Sequence, residues 1–182
     1  MYDERQMSQL ESHNRDLARV VSRFEGPLVR YAQKITGDLE RARDVVQGTF
    51  LTLCRESDPP PEDRLAPWLF TVCRNRALDV RRKESRMSLM SEAETAVCPS
   101  REVAPDAAIE QRETLGQVLE LIGSLPENQQ EVLRLKFQNG FSYREISGIT
   151  QLSVTNVGYL IHMGIKSLRA KLSEPLAMPR VT

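Results

Sequence analysis

Cationic side chains are concentrated between residues 74 and 86, where six basic residues stand against two acidic ones and leave a local excess of four positive charges. Arg74 and Arg81 lie seven residues apart, nearly two helical turns, so a helix would place them on one face. Such a face suits a nucleic-acid backbone, because each neutralised phosphate releases counterions. A solvated helix end is the alternative, since the C-terminal dipole also favours cations. The basic residues are Arg74, Arg76, Arg81, Arg82, Lys83 and Arg86.

Short and polar side chains near the C-terminal end form a second candidate site. In the second helix of a helix-turn-helix, such side chains let the backbone approach the base edges in the major groove. Asparagine can bind adenine through two hydrogen bonds, and serine or threonine can serve several bases. The polar surface of an ordinary helical hairpin is the alternative. The residues concerned are Ser153, Thr155, Asn156, Tyr159 and His162, with Lys166 further along as a phosphate contact.

The residues around this second site have the pattern of a helix-turn-helix. Ser142 and Glu145 fit a capping box, which opens a short helix. Residues 150–152 form a tight turn, and Ser153 then caps a longer amphipathic helix that extends to Leu172. A short capped helix, a brief turn and a longer helix in this order are typical of DNA-binding domains.

The sequence predicts an all-α fold with two small helical domains joined by a flexible linker. Apolar residues at helical spacing predict helices over about 14–35, 38–55 and 67–83 in the first domain. Asp38 is expected as an N-cap, and Pro67 in the first turn of the third helix. The predicted bounds are 1–13 for a polar N-terminal extension, 14–86 for the first domain, 87–105 for the linker, 106–174 for the helix-turn-helix domain and 175–182 for a tail.

The composition argues against catalysis and against a metal or cofactor. Three cysteines lack ligand-like spacing and only two histidines are present, so we expect no metal site and no cofactor. There is no visible pairing of a nucleophile with a base, so we expect that the protein is not an enzyme. No apolar run reaches membrane-spanning length, which predicts a soluble, cytoplasmic protein without membrane insertion. The net charge is zero, so any nucleic-acid surface must be a local patch.

One face of the second predicted helix is a candidate docking surface. Asp44, Gln47 and Leu51 recur at helical spacing on a face different from that of Val46 and Phe50. A face that mixes a carboxylate, an amide and an apolar group could bind a partner. Periodicity alone favours an ordinary solvated helix side.

The third predicted helix contains a W-L-x-x-x-x-R-N-x-x-x-D string, whose residues are Trp68, Leu69, Arg74, Asn75 and Asp79. Together with the basic helix, the linker and the helix-turn-helix, this string resembles the extracytoplasmic-function (ECF) group of RNA polymerase sigma factors. The resemblance extends from about Leu17 to Leu172. It implies a subunit for transcription initiation that binds bacterial core RNA polymerase and promoter DNA, with an anti-sigma factor as a candidate further partner.

The resemblance also implies a role for each candidate residue. The face with Asp44, Gln47 and Phe50 would dock on the polymerase, and Trp68 is expected in the core. The loop at about 58–64 would capture a base flipped out of the −10 element. The residues that would hold the melted −10 strand and its phosphates are Arg74, Asn75, Arg81, Arg82 and Lys83. Those that would meet the −35 element are Ser153, Thr155, Asn156, Tyr159, His162 and Lys166.

The sequence departs from the family pattern at positions that bear on DNA recognition. Gly158 and Met163 stand where many members carry Lys or Arg, and Gln151 stands where a turn glycine is usual. Gly48 replaces a common Glu in the docking stretch. The alternative function is a helix-turn-helix transcriptional regulator that acts without core polymerase, which would leave the first domain unexplained.

Overall fold

The described part of the chain is α-helical apart from its turns and loops. A computed structural model describes the backbone of residues 4–90 and 121–173, and the side chains of residues 17–86 and 121–172. Within these ranges there is no β-strand. The chain divides into two units, Met1–Ser100 and Arg101–Thr182. The predicted all-α fold is confirmed, while residues 91–120 and 174–182, with most of the predicted linker and the tail, lie outside the described residues.

The first unit contains three helices that pack against one another: α1 (Glu4–Thr36), α2 (Leu39–Arg55) and α3 (Glu62–Met90). Asp38 caps α2 as predicted, since its carboxylate accepts a hydrogen bond from the Arg41 N–H at 2.8 Å. At the centre of the unit the Tyr31 and Phe70 rings lie 5.2 Å apart. Side chains from all three helices are buried around them, among them Leu28, Ala32, Val46, Leu69, Cys73 and Ala77.

The structure corrects the predicted bounds of α1. This helix begins at Glu4 and therefore runs through most of the stretch 1–13 that was predicted as a separate extension. It also continues through Pro27, although proline removes one helical hydrogen bond. Phe24, Leu28 and Tyr31 are buried on either side of this proline, so tertiary packing on one continuous face outweighs the local helix breaker.

The bounds of α3 also differ from the prediction. This helix begins at Glu62 rather than Pro67, because the acidic Glu62 and Asp63 favour a helix N-terminus. The predicted base-capturing loop at 58–64 is correspondingly shorter, since its last three residues are helical. At the other end α3 passes the predicted stop at Lys83 and reaches Met90, so residues 87–90 are helical and not linker. These four residues include no Gly or Pro, so nothing local ends the helix there.

The second unit contains α4 (Glu127–Phe137), α5 (Tyr143–Thr150) and α6 (Val154–Ser173). Both hydrogen bonds of the predicted capping box are present: the Glu145 N–H donates to Ser142 Oγ at 3.3 Å and the Ser142 N–H donates to Glu145 Oε2 at 2.7 Å. The helices enclose an apolar core, whose main side chains are Val132, Leu133, Leu135, Ile146, Ile149, Val157 and Ile161.

The turn between α5 and α6 contains a strained residue. Thr150, predicted in the turn, is buried as the last residue of α5, and the turn is formed by residues 151–153. Gln151 adopts a left-handed conformation with φ of 62°, which side chains with a β-carbon rarely adopt. Its side-chain amide donates to the Gly148 carbonyl at 2.6 Å, and the Ser147 hydroxyl donates to the Leu152 carbonyl at 2.6 Å. These two bonds hold the turn without the usual glycine.

We expect the free energy of unfolding of the second unit to be about 0.5–1 kcal/mol higher in Gln151→Gly than in Gln151→Ala, because both variants lose the side-chain hydrogen bond and only glycine adopts positive φ at almost no steric cost. Gln151→Ala keeps the strain and loses the side-chain hydrogen bond, so it should be less stable than the parent protein. Urea denaturation of the three proteins compares them directly. If the glycine variant were no more stable than the alanine variant, the backbone at residue 151 would not be strained.

Candidate nucleic-acid interface

The C-terminal half of α3 carries a depression surrounded by cations. Arg81, Arg82 and Arg86 are exposed and line this depression together with Leu78 and Ser85. Arg82 also lies in an exposed pair with Asp79, at 3.4 Å between Nη1 and Oδ1. An exposed pair of this kind holds its cation only weakly. Three guanidinium groups around one open depression can accept an anionic chain such as a phosphate backbone.

The other residues predicted to contact the melted strand differ in exposure. Asn75 is exposed on α3, so its amide is available to a ligand, whereas Arg74 is partly buried. Trp68, expected in the core, is only partly buried. The exposed loop at residues 56–61 immediately precedes α3, which places it at the start of the helix that carries Asn75.

Lys83 lies in a different place from Arg81 and Arg82, in a cleft between α2 and α3. Asp44 and Asp79 line the same cleft, together with Arg76. The structure thus brings a residue predicted to dock on a protein beside one predicted to bind DNA. Sequence spacing did not indicate this, because Asp44 and Lys83 belong to separate helices.

Arg76 was not among the predicted site residues, and its position depends on Gly48. Its Nη1 donates to Thr52 Oγ1 at 3.3 Å, so the guanidinium lies on the surface of α2. A β-carbon at Gly48 would stand 2.7 Å from Arg76 Nε, closer than real contacts allow. The missing side chain at residue 48 therefore makes room for Arg76. A glycine in the middle of a helix was the signal in the sequence that pointed to such a close approach.

The residues of the predicted docking face on α2 differ in exposure. Asp44 and Gln47 are exposed, but Phe50 is only 9% exposed and most of its ring belongs to the core. Phe50 turns inward because it shares the buried face of α2 with Ala42 and Val46. An edge of Phe50 lines an apolar groove between α1 and α2, and the other residues lining it are Leu17, Val21, Glu25, Val29, Arg43, Val46, Gln47, Leu51 and Cys54.

In the second unit the predicted DNA-reading residues are all exposed on α6. Thr155, Tyr159, His162 and Lys166 follow one another at steps of four, three and four residues, so they form a single stripe along the helix. The opposite face is buried through Val157, Leu160 and Ile161. Asn156 is exposed beside the stripe, and Ser153 caps the helix by accepting a hydrogen bond from the Asn156 N–H at 3.2 Å.

Tyr143 is a further candidate that sequence reasoning missed. It is the first residue of α5, its side chain is 40% exposed, and its ring lies beside Gly158 of α6. A β-carbon at Gly158 would sit 3.6 Å from Tyr143 Cε2, which is ordinary van der Waals contact. Lys136 lies over the same ring at 5.5 Å and also donates to the Phe141 carbonyl at 3.3 Å. These contacts join three helices, so only the fold could reveal them.

Among the described cysteines, Cys54 is exposed and Cys73 is buried. Burial raises the pKa of the Cys73 thiol to about 12, so this thiol is un-ionised near neutral pH and is a poor nucleophile. No group of three or more potential metal ligands occurs in the part of the chain that the structure describes. Within residues 4–90 and 121–173, no helix combines the length and the apolar composition that a membrane span requires.

Two family models match the chain, one for each unit. The model for sigma-70 region 2 covers residues 11–87, and the model for sigma-70 region 4 covers residues 115–168. The chain therefore belongs to the sigma-70 family of RNA polymerase sigma factors, which act in transcription initiation, and the names of its relatives place it in the ECF group. The region 2 match accounts for the first unit, which a regulator acting without polymerase would leave unexplained.

Individual relatives support this assignment. The RNA polymerase sigma factor CarQ of Myxococcus xanthus is 28% identical over 159 residues, which cover 83% of this chain and 90% of the relative. The ECF RNA polymerase sigma factor SigL of Mycobacterium tuberculosis is 28% identical over 153 residues, covering 81% and 83%. Among solved structures, the sigma factor RpoE in complex with the anti-sigma factor NepR from Bartonella quintana matches the fold with a TM-score of 0.70 at 21% identity, covering 86% of this chain and 96% of that one.

Proposed function

We propose that the protein binds core RNA polymerase in the cytoplasm and directs it to promoters by contacting DNA through both of its units. The first domain, 14–86, engages the melted −10 element, and the helix-turn-helix domain, 106–174, reads the −35 duplex. The observation that carries this proposal is the exposure of the predicted DNA-binding groups: a polar stripe on α6 and a cation-lined depression on α3. Nucleotidyl transfer belongs to the polymerase, and the sigma factor contributes binding energy without catalytic groups.

In the first unit, Asn75 and the loop at residues 56–61 hold an unpaired base of the −10 element. Extruding a base from the duplex costs a few kcal/mol of stacking, which contacts to the flipped base must offset. Arg81 and Arg82 hold the adjoining phosphates at the α3 depression, and Arg74 and Lys83 contribute from its flanks. Support comes from the exposure of Asn75 and of the loop that precedes its helix.

In the second unit, the N-terminal half of α6 enters the major groove of the −35 element. Ser153, Thr155, Asn156, Tyr159 and His162 face the base edges, in the manner of a recognition helix. Lys166 lies ten residues beyond Asn156, about 15 Å along the helix, and meets the phosphate backbone. Transcription by core polymerase on a randomised promoter library tests the whole proposal, since it requires both DNA contacts and the polymerase contact.

Polymerase docking is proposed for the exposed face of α2, through Asp44 and Gln47. We expect Asp44→Arg to lower the affinity for core polymerase by about tenfold or more, because it reverses the charge of a group proposed to contact the polymerase. Glu56→Arg is the matched control, because Glu56 is an exposed carboxylate at the end of the same helix. Fluorescence titration with core polymerase measures both variants. Equal losses from the two would count against docking at Asp44.

An anti-sigma factor is a candidate partner. One solved structure with a matching fold is a complex of this kind, that of the sigma factor RpoE with the anti-sigma factor NepR. In this chain the apolar groove between α1 and α2 offers a surface of the kind that an amphipathic helix can occupy. Such an occupant would compete with polymerase for the neighbouring Gln47.

A further inference from the structure

The half of α6 that is proposed to face the bases contains neither Lys nor Arg. From Ser153 to Ile165 the helix and its cap contain no Lys or Arg, and the first cation is Lys166. The exposed groups in this half are instead the hydroxyls and amide of Ser153, Thr155 and Asn156, the aliphatic Val154 at 43% exposure, Tyr159 at 59%, and the imidazole of His162.

This composition limits which bases α6 can read. Guanine is recognised most often by Arg or Lys, which donates to its O6 and N7 atoms together. Asparagine binds N6 and N7 of adenine in the same two-bond manner, and apolar groups contact the C5-methyl group of thymine. Asn156 can supply the first contact, while Val154 and the Tyr159 ring can supply the second.

Cations from neighbouring elements do not replace the missing ones. Lys136 is held by the Phe141 carbonyl and by the Tyr143 ring, so its ammonium is directed at the protein. Arg144 is exposed near the start of α5, the helix that in this motif crosses the phosphate backbone. Both observations leave the base edges to the side chains of α6 between Val154 and His162, none of which is Lys or Arg.

We propose that the upstream promoter element read by this protein consists of A·T pairs, with an adenine bound by Asn156 and thymine methyl groups packed on Val154 and Tyr159. The inference rests on the proposed function and adds its base preference. Because one good base contact discriminates by roughly 5- to 150-fold, the preference should be visible in selected sequences.

The test uses the full-length protein with core polymerase on a promoter library randomised from the −10 element upstream, and sequences the templates that yield transcripts. For the parent protein we expect an upstream block in which A·T pairs are enriched and no G·C pair is. Asn156→Ala should return one adenine of that block to near its frequency in the starting library.

Gly158→Lys is the counterpart of Asn156→Ala, because it should add a base preference where that variant removes one. The residue at 158 has room for a β-carbon, and Lys there would restore a guanine-reading cation on the same helix. We expect its selected block to acquire one G·C pair. An invariant G·C pair selected by the parent protein, or active promoters without any upstream block, would overturn the inference. An absence of transcripts from every template would overturn the proposed function instead.

Discussion

Replacing Arg81, Arg82 and Lys83 together by alanine is expected to weaken promoter binding by the reconstituted polymerase about 10- to 100-fold at moderate salt. Arg81 and Arg82 line the open depression on α3, and Lys83 lies in the cleft between α2 and α3. Each cation that neutralises a phosphate releases counterions, so removing three of them lowers the affinity irrespective of base sequence.

The salt dependence separates lost phosphate contacts from a general loss of structure. Each phosphate contact contributes about 0.7–0.9 to the slope of log affinity against log salt concentration, so the variant should show a slope shallower by about 2–3. Arg82 is expected to contribute despite its pair with Asp79, because exposed pairs of this kind are weak. Equilibrium binding of labelled promoter DNA at several salt concentrations gives both quantities.

The matched control removes the same charge elsewhere on the first unit. Arg30, Lys34 and Arg55 are exposed basic residues on α1 and α2, and their triple alanine variant has an equal change in net charge. If the salt slopes of the two triple variants agree, the α3 cations are not specific phosphate contacts. A shallower slope for the α3 variant alone would support the proposal.

Phe70→Ala is expected to reduce the free energy of unfolding of the first unit by about 3–5 kcal/mol. Phe70 is 1% exposed, and its ring lies 5.2 Å from the ring of Tyr31 with an angle of 47° between the planes. The truncation leaves a cavity between α3 and α1 and removes an aromatic pair. Because small domains are stable by only about 5–15 kcal/mol, much of the first unit's stability would be lost.

Phe137→Ala is the control for this truncation. Phe137 undergoes the same chemical change at 63% exposure, at the end of α4, so we expect a loss of no more than about 0.5 kcal/mol. Urea denaturation followed by circular dichroism measures both proteins. Similar midpoints for the two variants would show that Phe70 is not the packing anchor assigned to it.

Sequence reasoning succeeded where the determining interactions are local. The Asp38 cap and the capping box of Ser142 and Glu145 each depend on residues only three positions apart, so they could be predicted from spacing. The helical type of the elements followed from apolar periodicity, which the buried stripe of Val157, Leu160 and Ile161 reproduces.

Sequence reasoning failed where tertiary packing decides the position or burial of a residue. Thr150 was predicted in the turn but is buried as the last residue of α5. Phe50 lies mostly in the core because α2 turns that face toward the rest of the unit, so only an edge of its ring remains on the predicted docking face. The approach of Tyr143 to Gly158 joins two helices, so no pattern within either helix could predict it.

The close approach of Arg76 to Gly48 predicts how these two positions should vary in related chains. A β-carbon at position 48 and a guanidinium at position 76 compete for the same volume against α2. Relatives with a larger residue at the first position should therefore carry a shorter or redirected side chain at the second. Covariation of positions 48 and 76 among related chains would then reflect this one steric contact.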